Sequence, residues 1–68
     1  MLHKIFTDLE AGGLRGTLAY NSNSNSYHVS IVYIYRIILY RVFGNGVAAE
    51  NVLLELMEFP EWTILKYG

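Results

Sequence analysis

Apolar residues recur along this chain in three different rhythms. At the amino terminus Leu2, Ile5, Phe6 and Leu9 fall at i, i+3, i+4 and i+7, which gathers them on one stripe of a helix. Gly12 and Gly13 follow as a natural stop, so the spacing predicts a short amphipathic helix over residues 2–11. Leu14 to Tyr20 then reads as a short strand, and Gly16 inside it marks a bulge or a close approach of another chain segment. Asn21 to Ser26 is entirely polar, with side chains that hydrogen-bond their own backbone, and reads as a loop.

The second rhythm is a run without a break. Tyr27 to Phe43 holds seventeen residues with no glycine, proline, asparagine or aspartate, and it is rich in β-branched and aromatic side chains. Alternation places Val29, Ile31, Tyr33, Tyr35, Ile37, Leu39, Arg41 and Phe43 on one face. His28, Ser30, Val32, Ile34, Arg36, Ile38, Tyr40 and Val42 take the other, and the first face is the drier. A single flat strand of this length would extend about 56 Å, far beyond ordinary strands. The run is therefore expected to be one strongly bent strand, or two strands meeting at a bulge near Tyr35 and Arg36, each half pairing with a different neighbour. Its early part is expected to form a long-looped hairpin with residues 14–20.

The third rhythm is helical again. Phe43-Gly44-Asn45-Gly46 is a turn signal, and from Val47 to Glu58 the residues Ala49, Val52, Leu53, Leu56 and Met57 share one face. Glu50, Asn51, Glu55 and Glu58 share the opposite one. Phe59-Pro60-Glu61 ends this helix, because the residue before a proline is pushed out of the α region. Trp62 to Tyr67 alternates and is expected to be a short closing strand. The sum is an α+β plan in a single domain, 1–68. It has a small antiparallel sheet of three to four strands, one of them long and bent, with one face covered by an amphipathic helix and a short N-terminal helix besides.

Composition narrows the class. At 68 residues a lone core is marginal, and a hydrophobic fraction of 53% with 16% charged residues is rich for so small a chain. There is no cysteine, which removes disulfides and thiolate chemistry and is compatible with a reducing cytosol, so cytoplasmic residence is expected. Two distant histidines make a poor metal site, and no metal or cofactor is expected. Oligomerisation is the remaining support for a small core, and six tyrosines with a tryptophan suit an interface.

Charge and length weigh on the alternatives. A net charge of −1 and a pI near 6.0 argue against a nucleic-acid binder. The first ten residues lack the order of a secretory signal, so the chain is read as unprocessed. Val29 to Phe43, as a helix, would rise about 22 Å against a hydrocarbon core of about 30 Å, with Arg36 near its middle.

Chemistry-bearing constellations are weak throughout. His28 near Ser30 offers a base and a hydroxyl with no spacing that demands a nucleophilic pair. Gly12-Gly13-Leu14-Arg15-Gly16 follows an expected helix and leads into a strand, the reverse of a phosphate loop. Glu50, Glu55, Glu58 and Glu61 form a charged run that reads first as a solvated face. Its sharper reading is an acidic docking surface in which Leu54 and Phe59 add apolar contact. Arg15, Arg36 and Arg41, interleaved with Tyr20, Tyr33, Tyr35 and Tyr40, could stack single-stranded bases, with Tyr33 and Tyr35 on one face.

The leading expectation is a non-enzymatic protein-interaction module, acting as a homo-oligomer or on a partner protein. Adaptor, assembly and phage-type inhibitor roles fit its size and composition by analogy. The expected partner-binding residues are Tyr33, Tyr35, Arg36, Tyr40 and Arg41 on the strands, with Leu54, Glu55, Glu58 and Phe59 at the helix. A single-stranded nucleic-acid binder and a small membrane-associated protein are the alternatives.

Overall fold

The structure is a computed structural model that describes residues 3–68, with side chains from residue 5 onward. It forms a four-strand antiparallel sheet followed by two helices, in the order β1 (His3–Ala11), β2 (Leu14–Asn21), β3 (Ser26–Tyr33), β4 (Arg36–Phe43), α1 (Gly46–Glu58) and α2 (Pro60–Tyr67). The strands lie in chain order, a simple meander, so each is joined to its neighbour by a short hairpin. The architecture is α+β.

The sheet has a buried face and an outer one. Leu14 and Leu18 of β2, Val29 and Ile31 of β3 and Leu39 of β4 join Ala49, Leu53 and Met57 of α1 in one buried cluster. Gly16 lies between Leu14 and Leu18 and lets α1 come close: a Cβ there would meet Leu53 Cδ1 at 2.6 Å and Met57 Sδ at 2.9 Å. The close approach expected at Gly16 is therefore real, and the helix is what approaches.

Residues 3–11 form a strand, against the expected N-terminal helix. The register of β1 against β2 shifts between Ile5 and Thr7, which makes Phe6 a bulge residue. Before the bulge, Ile5 opposes Ala19 on the outer face; after it, Leu9 opposes Gly16 and Ala11 opposes Leu14 on the buried face. Phe6 meets the rings of Tyr20 and Tyr27. A strand interrupted by one bulge thus reproduces the apolar spacing of a helix. Leu2 lies outside the described residues.

The long run divides differently from its expected bend. Tyr33 ends β3, Arg36 begins β4, and Ile34 and Tyr35 form a two-residue turn, so the two halves pair with each other. A bulge does occur in β4, after the turn, where the register shifts between Ile31 and Val32. It moves Ile37 to the outer face while Leu39 stays buried. The hairpin between residues 14–20 and the start of the run is as expected, with Tyr20 opposite Tyr27.

Helix α1 begins at Asn45, whose side-chain oxygen accepts from the backbone N–H groups of Val47 at 2.8 Å and Ala48 at 3.2 Å. The closing segment is a second helix and not a strand. Pro60 at its first turn presets a helical φ, Glu61 and Lys66 sit at the ends that the helix dipole favours, and Gly68 N–H caps the Ile64 carbonyl. The Thr63 hydroxyl donates to the Leu56 carbonyl at 2.6 Å and ties α2 back to α1. Among the described residues no helix is long and apolar enough to cross a membrane.

Candidate interaction site

The outer face of the sheet carries Ile5, Ile37, Tyr40 and Val42, all exposed, yet polar partnerships run through its middle. Arg15 grips Asp8 with two hydrogen bonds, at 2.6 and 3.0 Å, and lies 4.0 Å from Glu10. The guanidinium hydrogen bonds hold the Asp8 carboxyl below its usual range, and the same contact raises Arg15. Across the sheet a chain of side chains links Ser24, Ser26, His28 and Tyr40. Ser24 and Ser26 hydroxyls are 2.6 Å apart, Ser26 meets His28 Nε2 at 2.9 Å, and His28 Nδ1 meets the Tyr40 hydroxyl. The histidine thus reaches the hydroxyls of Ser26 and Tyr40 in place of that of Ser30. Ser26 is only 9% exposed, and its hydroxyl lies within hydrogen-bond distance of both Ser24 and His28.

The two hairpin turns at the opposite end of the strands form a sharper contrast. Gly12 and Gly13 join β1 to β2 with φ of +57° and +88°, and Ile34 and Tyr35 join β3 to β4 with φ of +50° and +60°. Both pairs have the left-handed φ signature of a type I′ hairpin, whose preferred sequences are Gly-Gly, Asn-Gly and Asp-Gly. Glycine adopts it without penalty. For a residue with a Cβ it costs about 1 to 2 kcal/mol, and a β-branched isoleucine is among the worst suited. The same turn is thus made once from the expected residues and once from two large apolar ones. Tyr35 is fully exposed at 102% and Ile34 is 69% exposed, so neither recovers that cost by burial.

This end of the molecule holds a cleft as well. Where α1 meets α2, Glu58, Phe59, Pro60, Glu61 and Trp62 line an open hollow of about 580 Å³. A smaller one of about 200 Å³, bordered by Glu55, Leu56 and Thr63, shares Glu58, Phe59 and Trp62 with it. Phe59 and Trp62 are both largely exposed. Lys66 holds its ammonium 4.9 Å from the Trp62 ring centre, so this indole already attracts a cation. Glu55, Glu58 and Glu61 have no ion pair among the described residues, and neither does Arg36. The Gly12-Gly13 turn lies between cleft and tip. A Cβ on Gly12 would stand 3.0 Å from Pro60, and one on Gly13 would stand 3.4 Å from Tyr33.

The expected partner-binding residues fall into separate places. Tyr35 and Arg36 lie at the β3–β4 tip, exposed, and Glu55, Glu58 and Phe59 border the elbow clefts. Leu54 is exposed on α1. Tyr33 is half-buried against the core and shares no strand face with Tyr35, which sits in the turn. Tyr40 is engaged with His28 on the outer face. Arg41 opposes Val29 on the edge strand, on the buried-face side, and is exposed. The tyrosines and arginines therefore do not make one stacking platform. Sequence reasoning missed Ile34, Pro60 and Trp62. A two-residue turn inside an apolar run leaves no glycine or asparagine to announce it. Comparison with protein-family models, curated proteins and solved structures finds no match to this chain.

Proposed function

We propose that this chain is a non-enzymatic protein-interaction module that engages a protein surface through the end bearing the β3–β4 tip and the α1–α2 elbow. One observation carries the reading. Ile34 and Tyr35 occupy a strained turn, the first largely and the second fully exposed, where Asn-Gly would form the same hairpin with less strain. Backbone strain that nothing in the isolated molecule repays is the kind of feature that contact with a second molecule explains. A large exposed aromatic at a rigid tip makes a good anchor, since it buries much area at little entropic cost. The outer sheet face also exposes Ile5, Ile37, Tyr40 and Val42, but it is the weaker candidate because the Asp8–Arg15 and Ser26–His28–Tyr40 side chains that run through it already pair with one another.

Photo-crosslinking tests this directly. A benzophenone side chain is placed at Tyr35, or at Tyr40 on the outer face as a control, in the protein expressed in its own cells. The reading predicts covalent protein adducts from position 35 well above those from position 40. Equal yields from both positions, or none from 35, contradict it.

A further inference from the structure

The tip and the elbow cleft carry opposite charge, and they lie on either side of the Gly12-Gly13 turn. Tyr35 is an aromatic knob with Arg36, a cation without an ion pair among the described residues, as its next residue. The cleft is a hollow of Phe59, Pro60 and Trp62 bordered by the carboxylates Glu58 and Glu61, which have no ion pair among the described residues. Within one chain the knob does not fill the hollow: Tyr35 is fully exposed and borders Gly12, Gly13, Arg15 and Tyr33, none of which lines the elbow cleft.

Resting on the reading above, we infer that the protein surface met by the tip is the elbow of a second copy: Tyr35 enters the Phe59–Pro60–Trp62 cleft, and Arg36 pairs with Glu58 and Glu61. Because knob and hollow share one end of the molecule, two copies meeting end to end exchange knobs. Each knob fills the partner's hollow about a two-fold axis, and the assembly closes at a dimer. A hollow and a knob at opposite ends would instead have propagated into a filament. Phenol on indole and guanidinium on carboxylate are contacts of the kind that dominate small interfaces. The area is modest even when counted twice, so the dimer belongs with weak, transient interfaces. Glu55, Glu58 and Glu61 outnumber Lys66, which sits over the Trp62 ring, so the elbow is acidic on balance and this sets the sign of the partner. It attracts an arginine-bearing tip and repels phosphate, which favours a protein over a nucleic acid here.

The test is a charge exchange read by sedimentation equilibrium from about 10 μM to about 1 mM, a range suited to a weak interface. The wild-type chain is expected to pass from monomer to dimer. Arg36→Glu alone, and Glu58→Lys with Glu61→Lys, are each expected to weaken dimerisation about tenfold or more. The chain carrying all three substitutions has the same contacts with the charges reversed, and dimerisation returns. Tyr35→Ser, which removes the knob without altering charge, weakens it about tenfold and serves if a charge variant does not fold in a thermal melt. A wild-type monomer throughout, an open series beyond the dimer, or a triple variant no better than its parents overturns the inference. The first of these outcomes leaves the tip reading to the crosslinks at position 35, which can still capture a different protein.

Discussion

A single methyl group is enough to probe the contact between α1 and the sheet. Gly16 has an ordinary strand backbone, so its role is space alone, and Leu53 and Met57 occupy the volume a Cβ would need. Gly16→Ala is expected to lower stability by about 1 to 3 kcal/mol through overpacking, measured by chemical denaturation. Gly44→Ala, where nothing lies within 4 Å, is expected to leave stability nearly unchanged. At Asp8 the readout is a titration. Its folded carboxyl titrates below the ordinary range because of Arg15, so the pair's contribution is complete above the unfolded carboxylate pKa. That contribution is lost as pH falls through the folded value. Carbon-detected NMR should place Asp8 below a reference aspartate, and Arg15→Gln should return it. The pair is solvent-exposed, so acid unfolding itself should barely respond.

At the scale of elements, helix α1 depends on its cap. Asn45→Ala removes the acceptor for Val47 and Ala48 N–H and is expected to cost about 1 kcal/mol in thermal or chemical denaturation. Helix α1 is also the element most legible in the sequence, because turn signal, periodic apolar face and terminating proline all agree there. The hairpin of β2 and β3 was legible for a similar reason, since two apolar runs flank six polar residues. Strand β1 was not. Its bulge at Phe6 converts period two into an apparent period of 3.6, and only the pairing partner, β2, resolves the two. Helix α2 was misread because Trp62, Ile64 and Lys66 alternate. Pro60, Glu61 and Lys66, which are terminal signals for a helix, were present but outweighed. Of the site, the acids and Phe59 at the elbow and Tyr35 with Arg36 at the tip were visible as residue types. Their common end of the molecule was not, because it depends on the turns at Gly12-Gly13 and Ile34-Tyr35, the second of which has no turn residues at all.

The whole molecule is thin, 33 × 22 × 16 Å, with its two helices following a four-strand meander. Its exposed apolar residues are spread, with Ile5, Ile37, Tyr40 and Val42 on the outer sheet face and Ile34, Tyr35, Phe59 and Trp62 at the tip and elbow. The decisive feature of the tip is that Ile34 and Tyr35 are held in left-handed conformations at a cost to the fold. The most direct measurement is the melting temperature of the double variant Ile34→Asn with Tyr35→Gly, at a concentration dilute enough that association contributes nothing. Relief of two left-handed residues predicts about 1 to 3 kcal/mol of added stability, which in a chain of this size raises Tm by roughly 5 to 15 °C. An unchanged or lower Tm would contradict it, since the tip would then be ordinary and would need no second molecule to explain it.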